Sequence, residues 1–109
     1  MFSKKQRLSR EEILGILEKN TEKHNSPSFF IRVSNIKNGE EPKFSIIVSK
    51  KVEKLAVKRH LSKRIVIGII KEIIRDNQVN NKGYIINLKK SIEAIDREVL
   101  KEELVKILN

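Results

Sequence analysis

Apolar residues recur along this chain at two different periods, and the changes of period divide it into elements. Ile13, Leu14, Ile16 and Leu17 fall at helical spacing, the pattern of a helix that buries one face. Ser9 stands three residues before Glu12, the spacing at which each side chain satisfies the other's orphan backbone donor at a helix start. A helix is therefore predicted from Arg10 to Lys19, its apolar stripe against the core and slightly weakened by Gly15. The polar stretch Asn20 to Pro27 is predicted to be a loop. His24 within it has no second histidine or carboxylate cluster beside it in sequence and is assigned no function.

Period two begins at Ser28. Phe29, Ile31 and Val33 alternate with Phe30, Arg32 and Ser34, which predicts a half-buried strand. Asn35 to Pro42, with Asn38-Gly39, is turn-rich, and Phe44 to Ser49 alternates again. The two runs suit an antiparallel pair. If both give their more apolar set to the core, Phe30, Arg32, Ser45 and Ile47 share the other sheet face. A phenylalanine beside an arginine there suits stacked bases, although Phe30 packed under the first helix is the plainer alternative.

The longest periodic stretch runs from about Leu55 to Arg75. Spaced at 100° per residue, Val57, Leu61, Ile65, Val66, Ile69, Ile70 and Ile73 gather on one broad side, and Arg59, His60, Lys63, Arg64 and Lys71 on the other,. Tyr84 to Leu88, after Gly83, is a short apolar run typical of a strand buried on both faces. A strand, a helix and a strand in succession imply a βαβ crossover with parallel pairing. Asp96 opens a last helix with Val99, Leu100, Leu104, Ile107 and Leu108 as its core stripe, while Lys101, Glu102, Glu103 and Lys106 face water. The expected architecture is a two-layer α/β (α+β) sandwich, with three helices on a sheet of three to four strands. All 109 residues form one domain in this reading, without internal repeats,.

Charge changes the picture most at one place. The chain carries a net charge of +10. Residues 50 to 64 hold seven basic side chains (Lys50, Lys51, Lys54, Lys58, Arg59, Lys63, Arg64) against the single acid Glu53. Packed like charges destabilise a compact state unless an anion neutralises them, and the helix offers no interspersed glutamates for pairing at four-residue spacing. A nucleic-acid phosphate backbone is the expected partner, with Lys50, Lys51, Lys54, Lys58, Arg59, His60, Lys63 and Arg64 as the binding set. No cysteine is present, which rules out disulfides and thiolate metal sites. No apolar run approaches the roughly 20 residues of a membrane span, and a cytoplasmic location is expected. Two separate histidines and scattered acids make neither a metal cluster nor an acid–base pair, so no catalytic or metal-binding residue is assigned.

The order of elements, the run Ser49-Lys50-Lys51, and Ala56-Val57-Lys58-Arg59-His60-Leu61-Ser62-Lys63-Arg64 resemble the protein subunit of bacterial ribonuclease P. The likeness extends from Phe2-Ser3-Lys4-Lys5-Gln6-Arg7-Leu8 to the last helix. That family carries Arg-Asn-Arg, any residue, Lys-Arg on its second helix, with a further Arg three positions on. Arg59, Lys63 and Arg64 match it in identity and spacing; His60, Leu61 and Ile67 replace the usual Asn, Arg and Arg.

The resemblance implies a left-handed βαβ crossover, contrary to the general right-handed preference. It also implies a non-catalytic subunit that binds a catalytic ribonuclease P RNA and helps it remove the 5′ leader of precursor tRNA. Hydrolysis would be performed by Mg2+ held mainly by the RNA, with no obligate protein partner and no membrane. The single-stranded leader would lie in a cleft near Leu14, Phe30, Arg32 and Ile47, with stacking resting mainly on Phe30 because the first helix has only aliphatics. Lys50, Lys51, Lys54 and Lys58 would replace the missing motif arginines. Two other classes fit the charge alone: a structural RNA-binding protein of ribosomal type and an independent metal-dependent nuclease.

Overall fold

The computed structural model describes residues 6–18, 22–35 and 42–108. In chain order they form α1 (Arg10–Glu18), β1 (Glu22–Asn25), β2 (Phe29–Ser34), β3 (Lys43–Ile47), α2 (Ala56–Asp76), β4 (Gly83–Leu88), a 3₁₀ turn (Ile92–Ala94) and α3 (Arg97–Leu108). Lys4 and Lys5 within the N-terminal family likeness, the predicted helix end at Lys19 and the predicted turn at Asn38-Gly39 lie outside the described residues. The strands make one mixed sheet in the order β1-β2-β4-β3.

The expected elements are present, but the expected pairing of β2 with β3 is not. β4 lies between them, antiparallel to β2 and parallel to β3. The reason is visible in β4 itself. Tyr84, Ile85 and Ile86 are all fully buried, and a strand apolar on both faces is stable only where both faces are covered, at the sheet centre. A second difference is β1, in a stretch expected to be a loop. Its residues Glu-Lys-His-Asn are almost all exposed. As an edge strand it is held by its backbone ladder to β2, and edge strands are commonly polar, so hydrophobic periodicity could not reveal it.

Each face of the sheet has its own core. Phe29, Ile31, Val33, Phe44, Ile46, Tyr84, Ile86 and Leu88 pack with Val66, Ile69, Ile70 and Ile73 of α2 and Leu100, Leu104 and Leu108 of α3. Phe44 and Tyr84, opposite one another in the register, stack with ring centroids 5.2 Å apart. The Tyr84 hydroxyl donates to the Asn80 carbonyl at 2.9 Å. On the opposite face the core is small: Ile85 is covered by Leu8, Ile16 and the half-buried Ile13.

The helix starts are built as their sequences dictate. The Ser9 amide donates to the Glu12 carboxylate at 3.0 Å and the Glu12 amide to the Ser9 hydroxyl oxygen at 3.1 Å. Asp96 accepts the Glu98 amide at 2.9 Å. The apolar stripes, by contrast, are narrower than expected. Leu14 is 50% exposed and Leu17 and Val99 nearly as open, because α1 docks through Ile13 and Ile16 and α3 through Leu100, Leu104 and Leu108. Val57 and Leu61, assigned to the core side of α2, are 81% and 44% exposed. At 100° per residue both fall on the same side of α2 as exposed Arg64, Gly68, Lys71 and Arg75, away from the sheet, whereas Ser62 on the same turns is buried,. Glu103, expected to face water, is half-buried, with one carboxylate oxygen enclosed.

Candidate nucleic-acid interface

The interface begins in the β3–α2 connection. The Val52 and Glu53 amides both donate to the Ser49 carbonyl, at 3.2 and 3.0 Å, and the Ser49 hydroxyl oxygen also accepts from Val52. This tight turn leaves Lys50 and Lys51 exposed at its tip, with Lys54 exposed just beyond. Because β3 and β4 run parallel, their C-terminal ends lie at the same edge of the sheet. The connection after β4 therefore joins the cluster: Ser91 donates its hydroxyl to the Glu53 carboxylate at 3.0 Å, clasping the two loops together. Exposed Lys89 and Lys90 accompany it, and Lys89 hydrogen-bonds Asn25 of β1. These two lysines were missed in the sequence because they lie 25 and 26 positions beyond Arg64, the last member of the main cluster; only the parallel pairing unites them.

Within α2 the motif residues divide into two groups. Arg59 is half-buried, and its guanidinium donates to the carbonyls of Glu53 and Lys54 at 3.1 and 2.8 Å. Lys58 is half-buried and lies 3.9 Å from Glu93. Ser62, at the motif's unspecified position, is buried and donates to the Lys58 carbonyl at 2.9 Å. His60, Lys63 and Arg64 instead stand exposed, and among the described residues Lys63 and Arg64 have no ion-pair partner. The first turn of α2 contains no acid, and its N-cap, Leu55, makes no side-chain bond. The positive end of the helix dipole thus adds to the lysines around it. Exposed Leu55, Val57 and Leu61 sit among these cations.

The sheet face under α1 is a second surface. The register places Phe30, Asn87 and Ile47 in one row across β2, β4 and β3, and Arg32, Ile85 and Ser45 in the next. Arg32 lies over the Phe30 ring, its guanidinium carbon 5.5 Å from the centroid, in cation–π range. Phe30 and Arg32 are half-buried and Ile47 is exposed. Phe30 stands half-buried on the α1 side of the sheet, where Leu8, Ile13 and Ile16 cover Ile85. Leu14 is exposed on α1. Asn87 was missed, since inside an apolar strand its one polar position gives no periodic signal.

Electrostatics at the α1 edge are set by Glu12. Burial alone would push its carboxyl up, but the Ser9 amide and hydroxyl and the Lys43 ammonium outweigh this and hold it below its ordinary value. Lys43 lies 3.2 Å away. Among the described residues no three acids or histidines converge on a point that could hold a metal ion. No helix among them is long and apolar enough to cross a membrane.

A basic α+β protein with a βαβ unit whose helix turns cations to solvent is built to meet an anionic polymer. Its family is ribonuclease P: the model of that family matches residues 2–109, and the chain belongs to it. It is a ribonuclease P protein subunit with an RNA partner in that complex, which does not favour the ribosomal-type alternative. Solved structures share the fold. A Staphylococcus aureus RNase P protein mutant with defective mRNA degradation activity superposes with a TM-score of 0.77 at 20% identity, covering 96% of this chain and 86% of that one. The S. aureus RNase P protein gives 0.74 at 18% identity, covering 95% and 98%. The RNase P protein from Thermotoga maritima gives 0.70 at 22%, covering 94% of each. Comparison with curated protein sequences gives no significant match.

Proposed function

We propose that this subunit binds a catalytic ribonuclease P RNA through the β3–α2 turn and the exposed side of α2, and that the RNA, with Mg2+ it mainly holds itself, cleaves the 5′ leader from precursor tRNA. The observation that carries this is the acid-free, solvent-facing run of Lys63 and Arg64 beside the clasped lysine loops. In this reading Lys50, Lys51, Lys54 and Lys58 replace the arginines absent from the motif, and the exposure of the first three at the turn supports it. Lys58 and His60 complete the set. Arg59 orders the turn and offers its remaining donors to phosphate. Neutralising phosphates releases condensed counterions, so such binding strengthens as salt falls. The single-stranded leader lies across Phe30, Arg32 and Ile47 beside Leu14. The complex works in the cytoplasm and needs no other protein.

Cleavage of precursor tRNA at low magnesium tests this. We expect no cleavage by the protein alone, and stimulated cleavage when it is added to a bacterial ribonuclease P RNA. Cleavage by protein alone would make it an independent nuclease; absence of stimulation would overturn the proposed role. Lys63→Ala and Arg64→Ala should each lower the salt slope of RNA binding by about one unit.

A further inference from the structure

One residue of α2 is not explained by folding. Gly68 stands in the interior of a 21-residue helix, where glycine is less favourable than alanine because it loses more backbone freedom on folding. No neighbour requires it, because a Cβ built there meets nothing within 4 Å. It is exposed and forms part of a hollow of about 230 Å³ lined otherwise by Arg64, Ile67 and Lys71. That lining contains two cations and no acid. At 100° per residue, Val57, Leu61, Arg64, Gly68, Lys71 and Arg75 fall within about 40° of one line along the helix. All six are exposed, so they form the solvent ridge of α2. A second hollow, on the α3 side of Gly68, includes Glu72 and Glu98 and is less suited to an anion.

We propose that Gly68 is a docking notch for the RNA sugar–phosphate backbone, with Arg64 and Lys71 flanking the phosphate one turn to either side. Removing a side chain at this point lets a strand approach the helix backbone closely. The interface then extends a full turn beyond the last matching motif residue, and Lys71 supplies a cation in the turn after Ile67, where the family's arginine is missing. This rests on α2 being the RNA-contacting helix. Val57 and Leu61, on the same ridge, lie nearer the N-terminal end and are outside the notch.

Binding of a bacterial ribonuclease P RNA by the full chain, measured across salt concentration beside thermal unfolding, tests it. Gly68→Ala should raise the thermal midpoint by roughly 4–8 °C and yet weaken RNA binding by roughly tenfold, with Gly68→Leu weaker still. Lys71→Ala should lower the salt slope by about one unit. More stable Gly68 variants that bind RNA as well as the unaltered chain would overturn the notch. Lys63→Ala in the same assay separates the two ideas: if it weakens binding while the Gly68 variants do not, only the notch fails; if neither weakens binding, α2 is not the RNA-contacting helix.

Discussion

The Arg59 guanidinium donates to the Lys54 carbonyl at 2.8 Å, so the first basic residue of the motif closes the turn that presents the lysines. A charge-assisted hydrogen bond is worth roughly 1.5–3 kcal/mol, less where partly exposed. Arg59→Ala should therefore destabilise the protein by about 1–2 kcal/mol, whereas Lys63→Ala, on an open surface, should change stability by no more than about 0.5 kcal/mol. Denaturant midpoints of the two variants decide it. Equal midpoints would return Arg59 to the ordinary surface cations.

Phe30 stands beside Asn87 and under Arg32 on the half-open sheet face. Base stacking on an aromatic ring contributes roughly 1–3 kcal/mol per base. Phe30→Ala should weaken binding of leader-bearing precursor tRNA to the assembled complex by that amount and leave binding of mature tRNA unchanged. An equal loss for both RNAs would point to a change in the fold instead of a leader contact.

Glu12 holds α1 through its exchange with Ser9 and its ion pair with Lys43. Its folded-state carboxyl lies below the ordinary 4.5, so its stabilising effect is present above that value and disappears as pH falls through the lower, folded value. Glu12→Gln should flatten this acid-side loss of stability, and removing the cap with Glu12→Ala should cost about 1 kcal/mol at neutral pH. Stability measured from pH 7 to 3 on the three proteins checks the sign; parallel curves would remove Glu12 from the acid response.

Burial, with a smaller contribution from Glu22, pushes the Tyr84 hydroxyl up from 10.0 to about 12. A raised folded value for an acid means stability fully present below 10 and lost as pH rises through about 12,. Tyr84→Phe should lose the bond to the Asn80 carbonyl, about 1 kcal/mol at neutral pH, and blunt the alkaline transition. If the alkaline limb of unfolding is the same in both proteins, another group causes it.

Much of the fold was legible because it rests on local chemistry. Ser9 with Glu12 and Asp96 mark helix starts by the donors they satisfy, and the alternation through Phe29–Val33 marks a half-buried strand. The limits are equally particular. Polar Glu22–Asn25 is a strand only because β2 supplies a ladder, and Val57 and Leu61 are apolar residues on the solvent side of α2. In the candidate interface, residues 50 to 64 were legible as one cationic run, while Lys89, Lys90 and Asn87 were not, since they are distant in sequence or isolated in an apolar strand.

The sequence by itself determined the three helices and the three apolar strands, the burial of β4 on both faces and the concentration of positive charge, since periodicity, capping and net charge depend on residues close along the chain. The tertiary structure alone decided that β4 lies between β2 and β3, that Arg59 turns inward while Lys63 and Arg64 face outward, and that Gly68 opens a hollow between cations. These depend on which surfaces meet, and burial belongs to a pair of surfaces, not to either sequence segment alone.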